Sequence, residues 1–183
     1  LTQWKQDITK WFNKYKYFYI PWNNEIKCIG VEIEGIKCFK SATRPWKIPL
    51  IVRYKNNEEK IINILVKFED VRKDKLTMII SKLLNKVCKK LIDIKTYNVF
   101  PISVNSGWIE MIDETQTLYD IKYRYNTTLQ NYIMDFNPNL TIIEMRKKFI
   151  KTCVSSCVLC YVLGVGDRHL ENILVTKDGD LCH

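Results

Sequence analysis

The spacing of apolar residues changes period along this chain, and that change limits the fold more than any single residue does. IKCIGVEIEGIKCF (26–39) partly alternates apolar and polar side chains around Gly30 and Gly35, which predicts a twisted strand pair. IPLIVRY (48–54) and IINILVKF (61–68) predict two more strands joined by the polar turn KNNEE. From Asp74 to Leu91 the period lengthens to that of a helix. Leu76, Ile79, Ile80, Leu83, Leu84, Val87 and Leu91 share one face, with Lys75, Lys82, Lys86 and Lys89 opposite. YNVFPISV and GWIEMI return to short strands. Thr141 and Glu144 then have the spacing of a capping box before an apolar helix that ends near Leu163. ILV–TKDGD–LCH reads as a hairpin about Asp178-Gly179. At the other end, Trp4, Ile8, Trp11, Tyr15 and Phe18 predict an amphipathic helix over the first 18 residues, broken by IPWNNE. About five strands first and helices later is an α+β pattern, read as two lobes joined near residue 112.

At 183 residues the chain fits one domain or two small lobes, and 46% hydrophobic with 27% charged residues excludes a disordered polymer. No apolar run approaches the roughly 20 residues of a membrane span, and no signal peptide opens the chain, so the expectation is a soluble intracellular protein. Seven scattered cysteines do not suggest a disulfide framework. Cys157 and Cys160 form a C-x-x-C that Cys153 joins at helical spacing, and they are expected to be buried small helix residues rather than metal ligands. The N-x-T triplets at Asn126 and Asn139 are taken as chance matches. A net charge of +9 suits an anionic partner (phosphates, an acidic membrane surface or nucleic acid) and equally suits a solvated basic surface. The lysine face of the 74–91 helix carries the same two readings.

The chemistry is concentrated at GVGDRHLENILV. Phosphoryl transfer needs a lysine on a strand, backbone amides over the phosphates, a carboxylate near the nucleophile and side chains that hold magnesium. Asp167-Arg168-His169 followed by Asn172 supplies the residue types of the last two. Alone, the triplet also suits a loop whose Asp merely caps a turn.

LGVGDRHLENILVTKDGDLCH resembles the catalytic loop of the phosphatidylinositol 3- and 4-kinases and their protein-kinase relatives. FIKTCVSSCVLCYVLG is similar to the helix before that loop. FKSATRP (39–45) resembles the family's phosphate-binding loop, LVKFEDVRKDKLT (65–77) its K-x-G-D-D-L-R-Q-D-x-L segment, and SGWIEMI (106–112) its hinge strand. The five segments occur in the family's order from residue 26 onward. The resemblance implies a bilobal protein-kinase-like fold, with an antiparallel-sheet N-lobe to about residue 112 and a helical C-lobe over 113–183. It implies ATP as substrate and Mg²⁺, or Mn²⁺ in its place, as cofactor. Lys67 would meet the α-phosphate, Ser41 and its neighbouring amides the β- and γ-phosphates, and the backbones of Glu110 and Ile112 the adenine edge. Asp74 and Tyr97 would meet at the back of the pocket. Asp167 would orient or deprotonate the acceptor hydroxyl, His169 would relay the proton or stabilise the transferring group, Arg168 would brace the loop, and Asn172 would hold the metal. Trp108 is expected in the core.

Two departures stand out. Between Lys67 and Glu69-Asp70 the chain is one residue shorter than the family pattern and lacks its glycine. The chain also ends at His183, where the family continues into x-D-F-G, so the C-lobe is expected to be truncated and the 183 residues alone inactive. Two branches of the family remain open. GVGDRHLENILVTKDGDL, FKSA and the short 113–163 segment resemble class III phosphatidylinositol 3-kinases. IKTYNVFPISVNSGWIE and EDVRKD resemble the related Ser/Thr protein kinases. A pseudokinase or interaction module on the same scaffold is the third reading. For the lipid branch the resemblance implies phosphatidylinositol at a membrane surface, a peripheral cytoplasmic location and room for a regulatory subunit, with no direct nucleic-acid contact. The protein-kinase branch would allow a nuclear location.

Overall fold

Lys16 decides how the chain begins. The first helix, α1 (Thr2–Tyr15), stops where Lys16 enters the left-handed region (φ 62), and Phe18 opens a strand, β1 (Phe18–Ile20), instead of continuing the helix. The aromatic spacing that predicted helix through residue 18 survives as packing, with the Phe18 ring centroid 5.7 Å from Trp11 and 6.2 Å from Phe12. The computed structural model of the protein describes residues 2–88 and 91–182, apart from the side chains of residues 2, 4 and 5; the expected roles of Trp4, Lys89 and His183 lie outside it.

The predicted strand pair of 26–39 is instead one strand and its interrupted continuation. β2 (Asn23–Val31) and β3 (Lys37–Cys38) both pair with β4 (Trp46–Arg53), at its two ends, and a 3₁₀ turn at Ile33–Gly35 separates them. The other edge of β4 pairs with β5 (Glu59–Lys67) along its whole length, from Trp46↔Val66 to Arg53↔Glu59. Eight residues of β4 offer a longer ladder than a hairpin inside 26–39 could. With β6 (Val99–Ser103) and β7 (Ser106–Glu110), the described sheet has seven strands rather than five, in the order β1-β2-β4-β5-β7-β6, with β3 on β4. Its pairs are antiparallel, as expected. Ile20, Ile26, Cys28, Leu50, Val52 and Ile64 make the buried cluster, against which Phe12, Phe18 and Trp108 pack.

The second helix, α2 (Arg72–Val87), corrects the expected apolar stripe. Met78 and Ser81 are its buried residues, while Leu76, Ile79, Leu83 and Val87 are exposed. Seven apolar residues on a helix show amphipathicity, but which part of the face is covered is set by partners far away in sequence.

Two compact units share the chain. One holds the residues up to Lys75 with Tyr97–Met111; the other holds Leu76–Thr96 with the residues from Ile112 onward. The second contains three elements the sequence did not announce, β8 (Thr115–Thr117), a π-helical turn (Asp120–Arg124) and α3 (Leu129–Phe136). α4 (Ile142–Leu163) has the predicted capping box: Glu144 N donates to Thr141 Oγ1 (3.2 Å) and Thr141 N donates to Glu144 Oε2 (2.9 Å). The expected hairpin is β9 (Leu174–Thr176) with β10 (Leu181–Cys182), and β8 adds a third strand along β9. Ile121, Tyr132, Ile133, Met145 and Val175 form this unit's core. The small residues α4 buries are Thr152, Ser155 and Ser156, not the C-x-x-C. Cys157 is exposed, Cys153 and Cys160 are half-buried, and burial raises the thiol pKa of those two. Among the described residues no helix is long and apolar enough to cross a membrane.

Candidate active site

In the first unit, β5 carries Lys67 at its end, opposite Gly107 of β7. Side chains alternate along a strand, so Ile62, Ile64 and Val66 turn to the buried cluster and Lys67 leaves by the other face. Its Nζ lies 2.9 Å from Glu69 Oε1. Glu69 escaped attention as a partner; the chain bends at residues 68 and 69, just past the end of β5. Asp70 starts the next helix: its Oδ1 accepts from Arg72 N (3.0 Å) and its carboxylate takes a forked bond from the Arg72 guanidinium. Those bonds, side chain first and backbone second, hold the Asp70 carboxyl down at about 2. Asp74 lies in the first turn of α2, where a negative charge suits the helix dipole.

Ser41 lies in the exposed turn between β3 and β4. Arg44 N donates to Ser41 O (3.1 Å), and Phe39 N donates to Pro45 O (2.9 Å) below it. Lys40 and Arg44 flank the turn, so its surroundings are cationic. Glu110 closes β7. Its Oε2 accepts from Asn98 N (2.9 Å) and Asn98 Nδ2 (2.7 Å), while Met111 N donates to Asn63 O (2.9 Å). Tyr97 directly precedes this junction. Ile112, the first residue of the second unit's later stretch, accepts the Thr115 hydroxyl at its carbonyl (3.1 Å); its own N–H donates to no partner among the described residues. An N–H in that state is available to a base edge.

In the second unit, α4 ends in a Schellman motif. Gly164 is left-handed (φ 62), Val165 N donates to Cys160 O (2.9 Å), and Gly164 N donates to Tyr161 O (3.3 Å). Three residues later Asp167 is left-handed as well (φ 57), a conformation that costs an ordinary residue about 1 kcal/mol or more and that Asp tolerates better than most. Its side chain is exposed. Asn172 gathers the loop: Nδ2 donates to Asp167 O (2.9 Å) and Asp167 Oδ2 (3.1 Å), and lies 3.0 Å from His169 Nε2. Glu171 N donates to His169 Nδ1 (3.2 Å), and His169 Nε2 stands 3.8 Å from Asp167 Oδ1. With both Asn172 Nδ2 hydrogens directed at Asp167 oxygens, the bond the imidazole accepts is the one from Glu171 N to Nδ1. Arg168 is exposed, near enough to Cys160 to act on its thiol electrostatically.

The structure brings Asp167, His169 and Asn172 together in one loop. Lys67, Ser41, Glu110, Asp74 and Tyr97 belong to the other unit. Because the Asn172 amide nitrogen is committed to two Asp167 oxygens, its Oδ1 is left without a hydrogen bond among the described residues. An amide oxygen beside an exposed carboxylate is a hard donor set that fits Mg²⁺. A strand-end lysine and a cationic hairpin turn in one unit, and this loop in the other, are features of the kinds that phosphoryl transfer uses.

The chain belongs to the phosphatidylinositol 3- and 4-kinase family, whose sequence profile matches residues 62–183. Its relatives include phosphatidylinositol 3-kinase VPS34 of Saccharomyces cerevisiae, 33% identical over 172 residues that are 90% of this chain and 19% of the relative. Phosphatidylinositol 3-kinase pik3 of Schizosaccharomyces pombe is 27% identical over 176 residues, 90% of this chain and 21% of the relative. Phosphatidylinositol 3-kinase piki-1 of Caenorhabditis elegans is 30% identical over 167 residues, 85% of this chain and 10% of the relative. The chain thus spans from a tenth to about a fifth of the length of these curated relatives.

Proposed function

We propose that this chain is the catalytic region of an ATP-dependent phosphatidylinositol 3-kinase, which phosphorylates an inositol-lipid hydroxyl at a membrane surface. The observation that carries the reading is the loop in which Asn172 binds Asp167 and faces His169. Residues to about 112 act as the nucleotide-holding lobe and 113–183 as the start of the catalytic lobe of a bilobal kinase. Ser41 and the adjoining amides receive the β- and γ-phosphates, and Lys67 exchanges Glu69 for the α-phosphate. The backbones of Glu110 and Ile112 take the adenine edge, with Asp74 and Tyr97 behind. Asp167 orients the lipid hydroxyl and accepts its proton. His169 holds or passes that proton and stabilises the transferring group, and Arg168 braces the loop. Asn172 would hold Mg²⁺ through Oδ1; when bound, the ion neutralises charge that develops on the phosphates.

The test uses the protein at its natural full length, with ATP, Mg²⁺ and phosphatidylinositol vesicles or peptides as acceptors. Lys67→Met, Asp167→Asn and His169→Ala should each lower the rate by at least about 100-fold, because each removes placed charge. Turnover by Asp167→Asn within a few-fold of wild type would sink its role. Preference for peptide over lipid would move the protein to the protein-kinase branch.

A further inference from the structure

We propose that Asp180 is a positioning residue for the catalytic loop, acting through the hairpin that follows Asn172. Asp180 is 5% exposed, and it is the charged residue among the buried ones described. Its Oδ2 lies 2.8 Å from Lys95 Nζ and its Oδ1 3.5 Å from Lys148 Nζ. Lys95 comes from the segment after α2 and Lys148 from the first half of α4, so two cations from separate parts of the unit converge on one carboxylate. The Asp180 hydrogen bond is the first cause that raises the Lys95 pKa. Burying a charge is costly unless it is paired and hydrogen-bonded, and a hairpin turn needs no such group to form.

The surrounding bonds show what the carboxylate fixes. Asp180 N donates to Thr176 Oγ1 (3.0 Å), Thr176 N donates to Asp180 O (2.9 Å), and Leu181 N donates to Thr152 Oγ1 on α4 (3.1 Å). On the opposite edge, β8 holds β9, and the ladder continues into the loop: Leu118 N donates to Ile173 O (3.0 Å) and Tyr119 N donates to Leu170 O (3.0 Å). The hairpin is therefore held along one edge by strand pairing and at the other by Asp180 with its two lysines. Loosening the second edge lets the hairpin rock about β8, and Asn172, two residues before Leu174, moves with it.

The inference rests on the proposed metal role of Asn172, and the experiment separates the two. In the natural full-length protein, Asp180→Asn should raise the Mg²⁺ concentration for half-maximal rate about 10-fold, as loss of a group supporting a metal ligand typically does. The KM for ATP at saturating Mg²⁺ should stay within about 2-fold. Lys95→Met should act in the same direction more strongly than Lys148→Met, because its ammonium is nearer. Asp180→Lys combined with Lys95→Glu should recover part of what Asp180→Lys loses. Amide hydrogen exchange at Asn172, Ile173 and β9 should quicken about 10-fold in Asp180→Asn while β4 and β5 keep wild-type protection. Exchange needs no substrate, so a natural protein without ATP-dependent phosphorylation would refute the functional reading and still decide the hairpin. Unchanged Mg²⁺ half-saturation with unchanged exchange at Asn172 would overturn the proposal, as would activity lost only in proportion to unfolded protein. Should Asp180→Asn fail to fold, Lys95→Met carries the same two measurements, since it keeps the Asp180–Lys148 pair.

Discussion

Gly107 sits opposite Lys67 in the sheet, and the space above its Cα is filled. A Cβ built there would stand 2.1 Å from Val71 Cγ2, 3.0 Å from Phe100 O and 3.3 Å from Pro101 Cα. The first distance is far inside contact, and Val71 is fully buried at the entry to α2. Gly107→Ala must therefore push Val71 aside, which costs about 1–3 kcal/mol for overpacking, here near 3 because the side chain has no free side to turn to. Val71→Ala alone removes two methyl groups, worth about 1.6 kcal/mol of transfer and roughly 1 more for the cavity. If the two changes were independent, the double variant would lose about 5–6 kcal/mol. They are not independent, since the methyl added at position 107 enters the room that the Val71 methyls leave. The double variant should lose only about 3 kcal/mol, a coupling of about 2 or more, with the remaining cost coming from the Phe100 carbonyl. Urea unfolding of the four proteins of the cycle, at one slope, measures it. Additive losses would mean that Val71 does not cover Gly107, and the placement of the α2 entry over β7 would be wrong.

Thr141→Ala should cost about 1 kcal/mol in urea unfolding, because it removes the N-cap of α4. The Thr141 hydroxyl, then its N–H, holds the Glu144 pKa below the ordinary carboxylate value, so that stabilisation is present above the ordinary value and lost as pH falls through the lowered one. Thr141→Ala should therefore flatten the acid limb of the stability profile, and an unchanged limb would show that the box is not formed. Burial pushes the Cys28 thiol from 9.0 up to about 11 and the Cys182 thiol up to about 12. Both folded values lie above the unfolded one, so stability should be intact below about pH 9 and fall as pH rises toward 11–12, by about 1.4 kcal/mol per unit for each thiol; Cys182→Ala should lower that slope in urea melts at several pH values. Glu69→Gln should tighten ATP binding about 2- to 5-fold in equilibrium titration, since the carboxylate and the nucleotide phosphate compete for Lys67, and weaker binding would indicate that Glu69 holds Lys67 in place for the phosphate.

What could be read from the sequence was what local chemistry decides. α4 was legible from Thr141 and Glu144 because caps act within a few residues of the backbone groups they satisfy. β4 and β5 were legible because each carries a full strand's worth of β-branched and apolar residues. The grouping of Asp167, His169 and Asn172 in one loop was legible because they lie within six positions, so the chain itself brings them together. Where the reading failed, the deciding partner was remote. β8 is three residues of Thr and Gln that become a strand because β9, more than fifty residues later, lies beside them. The 26–39 segment alternates as a hairpin would, yet its strands pair with β1 and β4 rather than with each other.

The Asp180 cluster is the extreme case of a remote partner, since Lys95 and Asp180 are separated by 85 positions and nothing near either one announces the other. Its logic differs from that of the proposed catalytic loop. In the proposed function, Asp167, His169 and Asn172 exchange their mutual bonds for bonds to a substrate and its metal. Asp180 is buried and its bonds are already satisfied inside the protein, so it can influence chemistry only by holding something else still. The chain thus places its exchangeable polar groups on a loop and ties the hairpin behind that loop with a charge that cannot leave. A loop built for exchange needs such a tie, because the more of its own hydrogen bonds it must surrender to a substrate, the less it can rely on them to keep its shape.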